Sequence, residues 1–174
     1  MFKLVLVLLF ALFANAGELK LLDGKIQAHT EVFGDNTIDP ETKDIITKVE
    51  KGDSIESIKG EFTINSSSLV SDNKDRDKHM YEVLKSSLVP TISFNITSIE
   101  KVDDKYKING DLKMNNQTKQ ISSLASIAEG DNLSMKGDFS INLTDFGLEP
   151  PTMFFLTVRN QIDIKYTFNF VKGM

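Results

Sequence analysis

Cysteine is absent from this 174-residue chain, and histidine occurs only twice, as His29 and His79. No disulfide can form, and no lipid can be attached to a cysteine near the N-terminus. A protein-held metal would need both histidines plus carboxylates, and the two stand far apart in the chain. No block of lysine and arginine stands out, so the electrostatic footprint of a nucleic-acid binder is missing. The phosphate-cradling patterns G-x-x-x-x-G-K and G-x-G-x-x-G are missing too, as is the nucleophile pattern G-x-S-x-G. Asn73, Asp75 and Asp77 alternate like the opening of a calcium loop. Its sixth and twelfth positions are Lys78 and Leu84, where such a loop needs glycine and glutamate. These absences predict no catalytic residues, no metal and no cofactor.

Long hydrophobic runs are also scarce. The one at the N-terminus, Leu4 to Phe13, follows the single charge Lys3 and precedes the small-x-small triplet Ala14-Asn15-Ala16. It is far short of the roughly 20 residues that span a bilayer. This is the pattern of a signal peptide cut after Ala16, with an uncleaved anchor as the alternative. The mature chain would run from Gly17 to Met174 as one domain, large enough for a core of its own. It would be periplasmic or secreted, acidic, and without stable membrane insertion.

What the chain does have is a period of two. Ile58, Gly60, Phe62 and Ile64 alternate with polar residues, as do Ile92, Phe94 and Ile96. The same holds for Tyr106, Ile108, Gly110, Leu112 and Met114, and for Leu133, Met135, Gly137, Phe139, Ile141 and Leu143. Ile162, Ile164, Tyr166, Phe168 and Phe170 complete the set. Successive side chains of a strand face opposite ways, so each strand has one apolar and one wet face. Weaker strands are predicted near Lys25–Phe33, Ile45–Glu50 and Lys119–Ala128. Turn signals at Asp39-Pro40, Lys51-Gly52-Asp53, Val102 to Lys105, Glu129 to Asn132 and Glu149-Pro150-Pro151 make an antiparallel meander. About eight one-sided strands can hide their apolar faces in a sandwich or in a closed barrel.

One helix is predicted, at about Asp77 to Ser86. Met80, Val83, Leu84 and Leu88 would share its apolar face, with Asp75 or Asp77 as the cap and Pro90 as the stop. Phenylalanine is abundant: Phe33, Phe62, Phe94, Phe139, Phe146, Phe154, Phe155, Phe168 and Phe170 all fall in the strand-rich region. They serve either as a packed core or as the wall of an apolar cavity, and parity does not separate the two.

Three blocks make the chain similar to a known family. Ser66–Val70 leads into Asp72-Asn73-Lys74-Asp75-Arg76-Asp77-Lys78-His79-Met80 and then Val89-Pro90-Thr91-Ile92-Ser93-Phe94. Tyr106 to Lys119 forms a G-x-L-x-M hairpin, and Gly137–Phe146 ends in Asp145-Phe146-Gly147. In order and spacing these resemble the YceI family. The resemblance departs at Asn116, where the family often has glycine, at Leu143 or Thr144, where it often has a basic residue, and before Gly52, where the usual opening strand is not matched.

The resemblance implies an all-β, lipocalin-like antiparallel barrel of about eight strands, with one short helix after the charged loop. It also implies an exported binding protein for a long-chain isoprenoid or fatty-acyl ligand. Parity then places Phe62, Ile92, Phe94, Ile96, Leu112, Met114, Phe139, Ile141, Ile164, Tyr166 and Phe168 on the ligand wall. Arg76, Asp77 and His79 would either face a head group or lock the loop onto the barrel. A homodimer is a candidate assembly. The alternatives are a secreted stress-response or interaction barrel with a packed interior, and a lipid-acting hydrolase or isomerase.

Overall fold

A computed structural model describes residues 16–32, 36–153 and 156–172. The predicted signal peptide up to Asn15, and Phe33, Phe154 and Phe155, lie outside the described residues. The strands are β1 (Gly17–Val32), β2 (Asn36–Ile38), β3 (Glu41–Thr42), β4 (Ile46–Lys51), β5 (Lys59–Asn65), β6 (Thr91–Val102), β7 (Lys105–Met114), β8 (Gln117–Glu129), β9 (Leu133–Asn142), β10 (Thr152–Met153), β11 (Leu156–Thr157) and β12 (Gln161–Lys172). Helix α1 (Lys74–Val83) lies between β5 and β6.

Eight of these strands close an antiparallel barrel. The order round the wall is β1, β4, β5, β6, β7, β8, β9, β12, and β12 pairs back onto β1. Closure removes the sheet edges, so the barrel solution wins over the sandwich. The β1–β4 seam is short, joining only Gly17–Leu19 to Val49–Lys51. β3 continues the seam by pairing with Ile26 and Gln27.

Two bulges break the period of two. In β1 the register against β12 shifts between Leu21 and Asp23. The apolar residues Leu19 and Leu21 are therefore followed by Gly24 and Ile26, and Leu22 is left 54% exposed. In β6 the register shifts between Ile96 and Ser98, so buried Ile96 is followed by buried Ile99. Extra residues of this kind bend a strand and raise its twist, which a small barrel needs. They also explain why β1 begins eight residues before the predicted strand at Lys25.

The β7–β8 turn needs two positive φ angles, and Asn115 (48°) and Asn116 (60°) supply them. Asparagine tolerates this region better than other residues with a Cβ, so glycine is dispensable at Asn116. Gly60 is different. Its φ is 132°, and a Cβ there would lie 2.0 Å from the Lys48 carbonyl oxygen, so no other residue fits.

The helix differs from expectation. It starts at Lys74 and ends at Val83, and its cap is Asn73, whose side-chain oxygen accepts from the Asp75 and Arg76 amides. An Asn one residue before the first turn outcompetes Asp75 and Asp77, which are already inside it. Lys85, with φ 54°, ends the helical path. Leu88 lies beyond that point and is 78% exposed, so it does not belong to the apolar face.

Candidate functional site

The barrel interior divides into two clusters of buried side chains. One cluster gathers Leu19, Val49, Ile58, Ile99, Ile108, Leu133 and Phe170 at the end away from α1. The other gathers Ile64, Leu69, Leu84, Leu112, Met114 and Ile141 at the end next to α1. Between and above them lies a cavity of about 590 Å³. That is in the range that holds a small organic ligand.

All eleven predicted wall residues line this cavity, from Phe62 on β5 to Phe168 on β12. Ile92, Phe94, Phe139 and Ile164 are only partly buried although they point inward, because they face the void. α1 and the Leu84 that follows it cover the mouth, with Met80 and Val83 from the helix itself. The strongly exposed Asp75 and His79 line the same cavity, so it reaches the surface beside the helix.

Glycines make room for the rings. A Cβ on Gly110 would lie 2.3 Å from the Phe94 ring, and one on Gly137 would lie 2.4 Å from the Tyr166 hydroxyl. Gly137 pairs directly across from Tyr166. The aromatic side chains therefore lie back against the wall. They form a seam in which Phe94 and Phe139 centroids are 6.3 Å apart, Tyr166 and Phe168 are 5.3 Å apart, and Phe62 and Phe168 stack at 4.6 Å.

Polar groups sit at the rims. At the closed end Lys51 reaches 3.0 Å to Glu129. β4 and β8 are not neighbours in the wall, so this ion pair ties strands that share no ladder. At the mouth Arg76 pairs with Asp72 at 3.0 Å, Lys78 with Asp75 at 3.1 Å and His79 with Glu82 at 3.6 Å. Asp77 is buried and accepts from the Ser71 amide and hydroxyl at 2.9 and 2.6 Å. Tyr81 adds a bond to the Leu69 carbonyl at 2.7 Å. Asp77 and Tyr81 thus tie the loop down. Arg76 does not pair with Asp77, and its salt bridge is on the surface.

On the outer wall beside the mouth, His29 Nδ1 lies 2.6 Å from Asp39, with Glu31 at 3.4 Å from Nε2. The Asp39 hydrogen bond raises the His29 pKa, against the opposing effect of burial. Asp163, opposite His29 in the ladder, is held down to about 2, chiefly by the Ser140 and Gln161 hydrogen bonds, with Arg159 adding to them. Among the described residues no group of three or more His, Asp or Glu side chains is arranged to hold a metal, and no helix is long and apolar enough to cross a membrane.

Sequence reasoning missed part of the lining. Ile26, Ala28 and Thr30 of β1 contribute because the bulge shifts their parity inward. Ser123 of β8 lies on the floor, and alternation around it is too weak to announce it.

The model of the YceI-like domain matches residues 17–170, all of the barrel but the last two residues of β12. The chain belongs to this family. A UPF0312 protein of Pseudomonas aeruginosa is 31% identical over 109 residues, covering 58% of this chain and 56% of that protein. Protein YceI of Escherichia coli O157:H7 is 31% identical over 96 residues, half of each chain. The match thus spans about half the length of these curated relatives. The crystal structure of Burkholderia cenocepacia BcnA superposes with a TM-score of 0.75 at 15% identity, covering 84% of this chain and 95% of that one. A polyisoprenoid binding domain from Saccharophagus degradans, implicated in plant cell wall breakdown, superposes with a TM-score of 0.62 at 8% identity, covering 90% and 98%. At these identities the structural likeness carries the YceI-like fold and nothing finer.

Proposed function

We propose that this YceI-like barrel is an exported binding protein that sequesters or carries a long-chain hydrophobic molecule, isoprenoid or fatty-acyl in type. The observation that carries the reading is the hollow end. A void of about 590 Å³ is enclosed by inward-facing apolar side chains that elsewhere in the barrel are packed shut. The ligand named for the Saccharophagus degradans domain supports the isoprenoid member of this class.

Length is required by the energetics. Burying a methylene gains about 0.8 kcal/mol. Association costs at least about 4 kcal/mol in lost freedom. A short metabolite barely offsets that cost in an apolar tube, whereas a chain of about ten buried carbons exceeds it. The cavity binds without turning over its ligand. The hydroxyls of Ser123 and Tyr166 bond to each other, Thr30 donates to backbone carbonyls, and Ser71 is held by Asp77, so none of them is paired with a histidine as an activated nucleophile would be. Arg76, Asp77 and His79 all line the cavity beside its mouth, and the Asp77 bonds to Ser71 favour the loop-locking role over the head-group role.

The mature protein would start at Gly17 and act in the periplasm or outside the cell as a single domain. Native mass spectrometry after mild extraction from that compartment tests both points. The expected result is a protein mass beginning at Gly17 that carries a lipid adduct. A barrel that stays empty when isolated beside its own membranes would count against ligand binding.

A further inference from the structure

The cavity floor carries one buried polar spot, and its protons are already committed. Ser123 Oγ donates to the Asp138 backbone carbonyl at 2.8 Å. A carbonyl oxygen only accepts, so the single Ser123 proton is spent there. The Ser123 Oγ to Tyr166 Oη contact, also 2.8 Å, must then run from the phenol to the serine. Tyr166 spends its proton in turn. Burial pushes the Tyr166 pKa up to about 12, so the phenol stays protonated and this arrangement persists across neutral pH. What the pair presents is lone pairs without a spare proton. Both residues line the cavity, and the Tyr166 tip is held at the wall by the missing side chain of Gly137. The rest of the floor, formed by Ile96, Ile108, Met135 and Phe168, offers no polar side chain.

We propose that Tyr166 and Ser123 form an acceptor site at the buried end of the cavity, selecting ligands whose inner end brings a hydrogen-bond donor. This rests on the hydrophobic-ligand reading and narrows its chemistry. A hydroxyl, phenol or primary amide on the alkyl or isoprenoid chain satisfies the site. An ether does not, and an ionised carboxylate brings only lone pairs to meet lone pairs. The ligand therefore enters polar end first, with its chain running out toward α1.

The test compares geranylgeraniol with its methyl ether by fluorescent-probe displacement on the purified full-length mature protein. One net hydrogen bond predicts that the alcohol binds about 5-fold tighter than the ether. In Tyr166→Phe the ratio should fall below the wild-type value, since the ring remains and one of the two acceptors is lost. Ser123→Ala should do the opposite of nothing: it frees the Tyr166 proton for the cavity, so the ether gains relative to the alcohol. Circular dichroism verifies the fold of each variant. An alcohol-to-ether ratio that is the same in the wild type and in both variants overturns the acceptor site while leaving the hydrophobic-ligand reading intact. Failure of both probes to bind the wild type overturns both.

Discussion

Phe170, Leu133 and Ile108 share the inward parity of Phe94, Phe139 and Ile164, yet the first three are at most 2% exposed and the second three are only partly buried. Residue type does not separate the two ends of the barrel, because both are rich in Phe, Ile and Leu. The difference lies in what meets each side chain across the lumen. Away from α1, bulges at Leu22 and Thr97 tighten the wall, and Ile55 and the Lys51–Glu129 ion pair close the end. In the hollow part, glycines beside Phe94 and Tyr166 let the rings lie back, and the cover at the mouth is one short helix. The lesson is that a hollow binding end is made by relief of packing at a few glycines and by loose coverage, with no special set of apolar residues.

Charge insertion should break the comparison most sharply. Phe170→Asp buries a carboxylate where no void exists, and the protein should fail to fold, as read by circular dichroism. Phe94→Asp places the charge against the cavity, where water can enter. This variant should fold and lose ligand uptake. A Phe94→Asp protein that binds normally would refute the wall assignment.

Truncation gives a smaller contrast. Leu133→Ala should cost about 2–5 kcal/mol in denaturant unfolding, because it opens a new cavity in packed surroundings. Ile164→Ala should cost less than about 2 kcal/mol, because its side chain already borders empty space. Equal losses would mean that the two ends are packed alike.

The mouth loop offers the next contrast. Asp77→Ala strands the Ser71 amide and should cost about 1–3 kcal/mol. Arg76→Ala removes an exposed pair and should stay within about 0.5 kcal/mol. The reverse ranking in thermal melts would return the locking role to Arg76.

The smallest effect concerns pH. Asp39 raises the His29 pKa above its ordinary 6.5, with Glu31 helping. A raised folded-state pKa stabilises fully below that ordinary value, and the stabilisation fades as pH rises through the folded-state value. Wild-type melting temperature should therefore drop slightly as pH climbs past neutral, and His29→Asn should lack that drop. An NMR titration of His29 giving a value below 6.5 would reverse the expectation.

How much was legible follows the same physics. The eleven wall residues lie on strands whose alternation is uninterrupted over the stretch that contains them, so parity alone oriented every one. The first half of β1 and the Ile99 side of β6 were hidden because a bulge makes the inward residues three apart. The helix was placed three residues late because several Asp and Asn side chains compete as caps, and only the loop geometry set by Asp77 and Ser71 selects Asn73. Ser123 was invisible because a lone serine on a weak strand has no pattern of its own.

By itself the sequence determined that this protein is built of one-sided strands round a shared apolar face. Period-two alternation is a local property, dictated by the pleat of each strand. It also carried the YceI-like blocks from Ser66 onward. Only the tertiary structure decided that one end is packed and the other hollow, that Asp77 bonds to Ser71 while Arg76 pairs with Asp72, and that Ser123 meets Tyr166. Those outcomes depend on distances between strands remote in sequence, which closure of the barrel sets all at once and no single strand encodes.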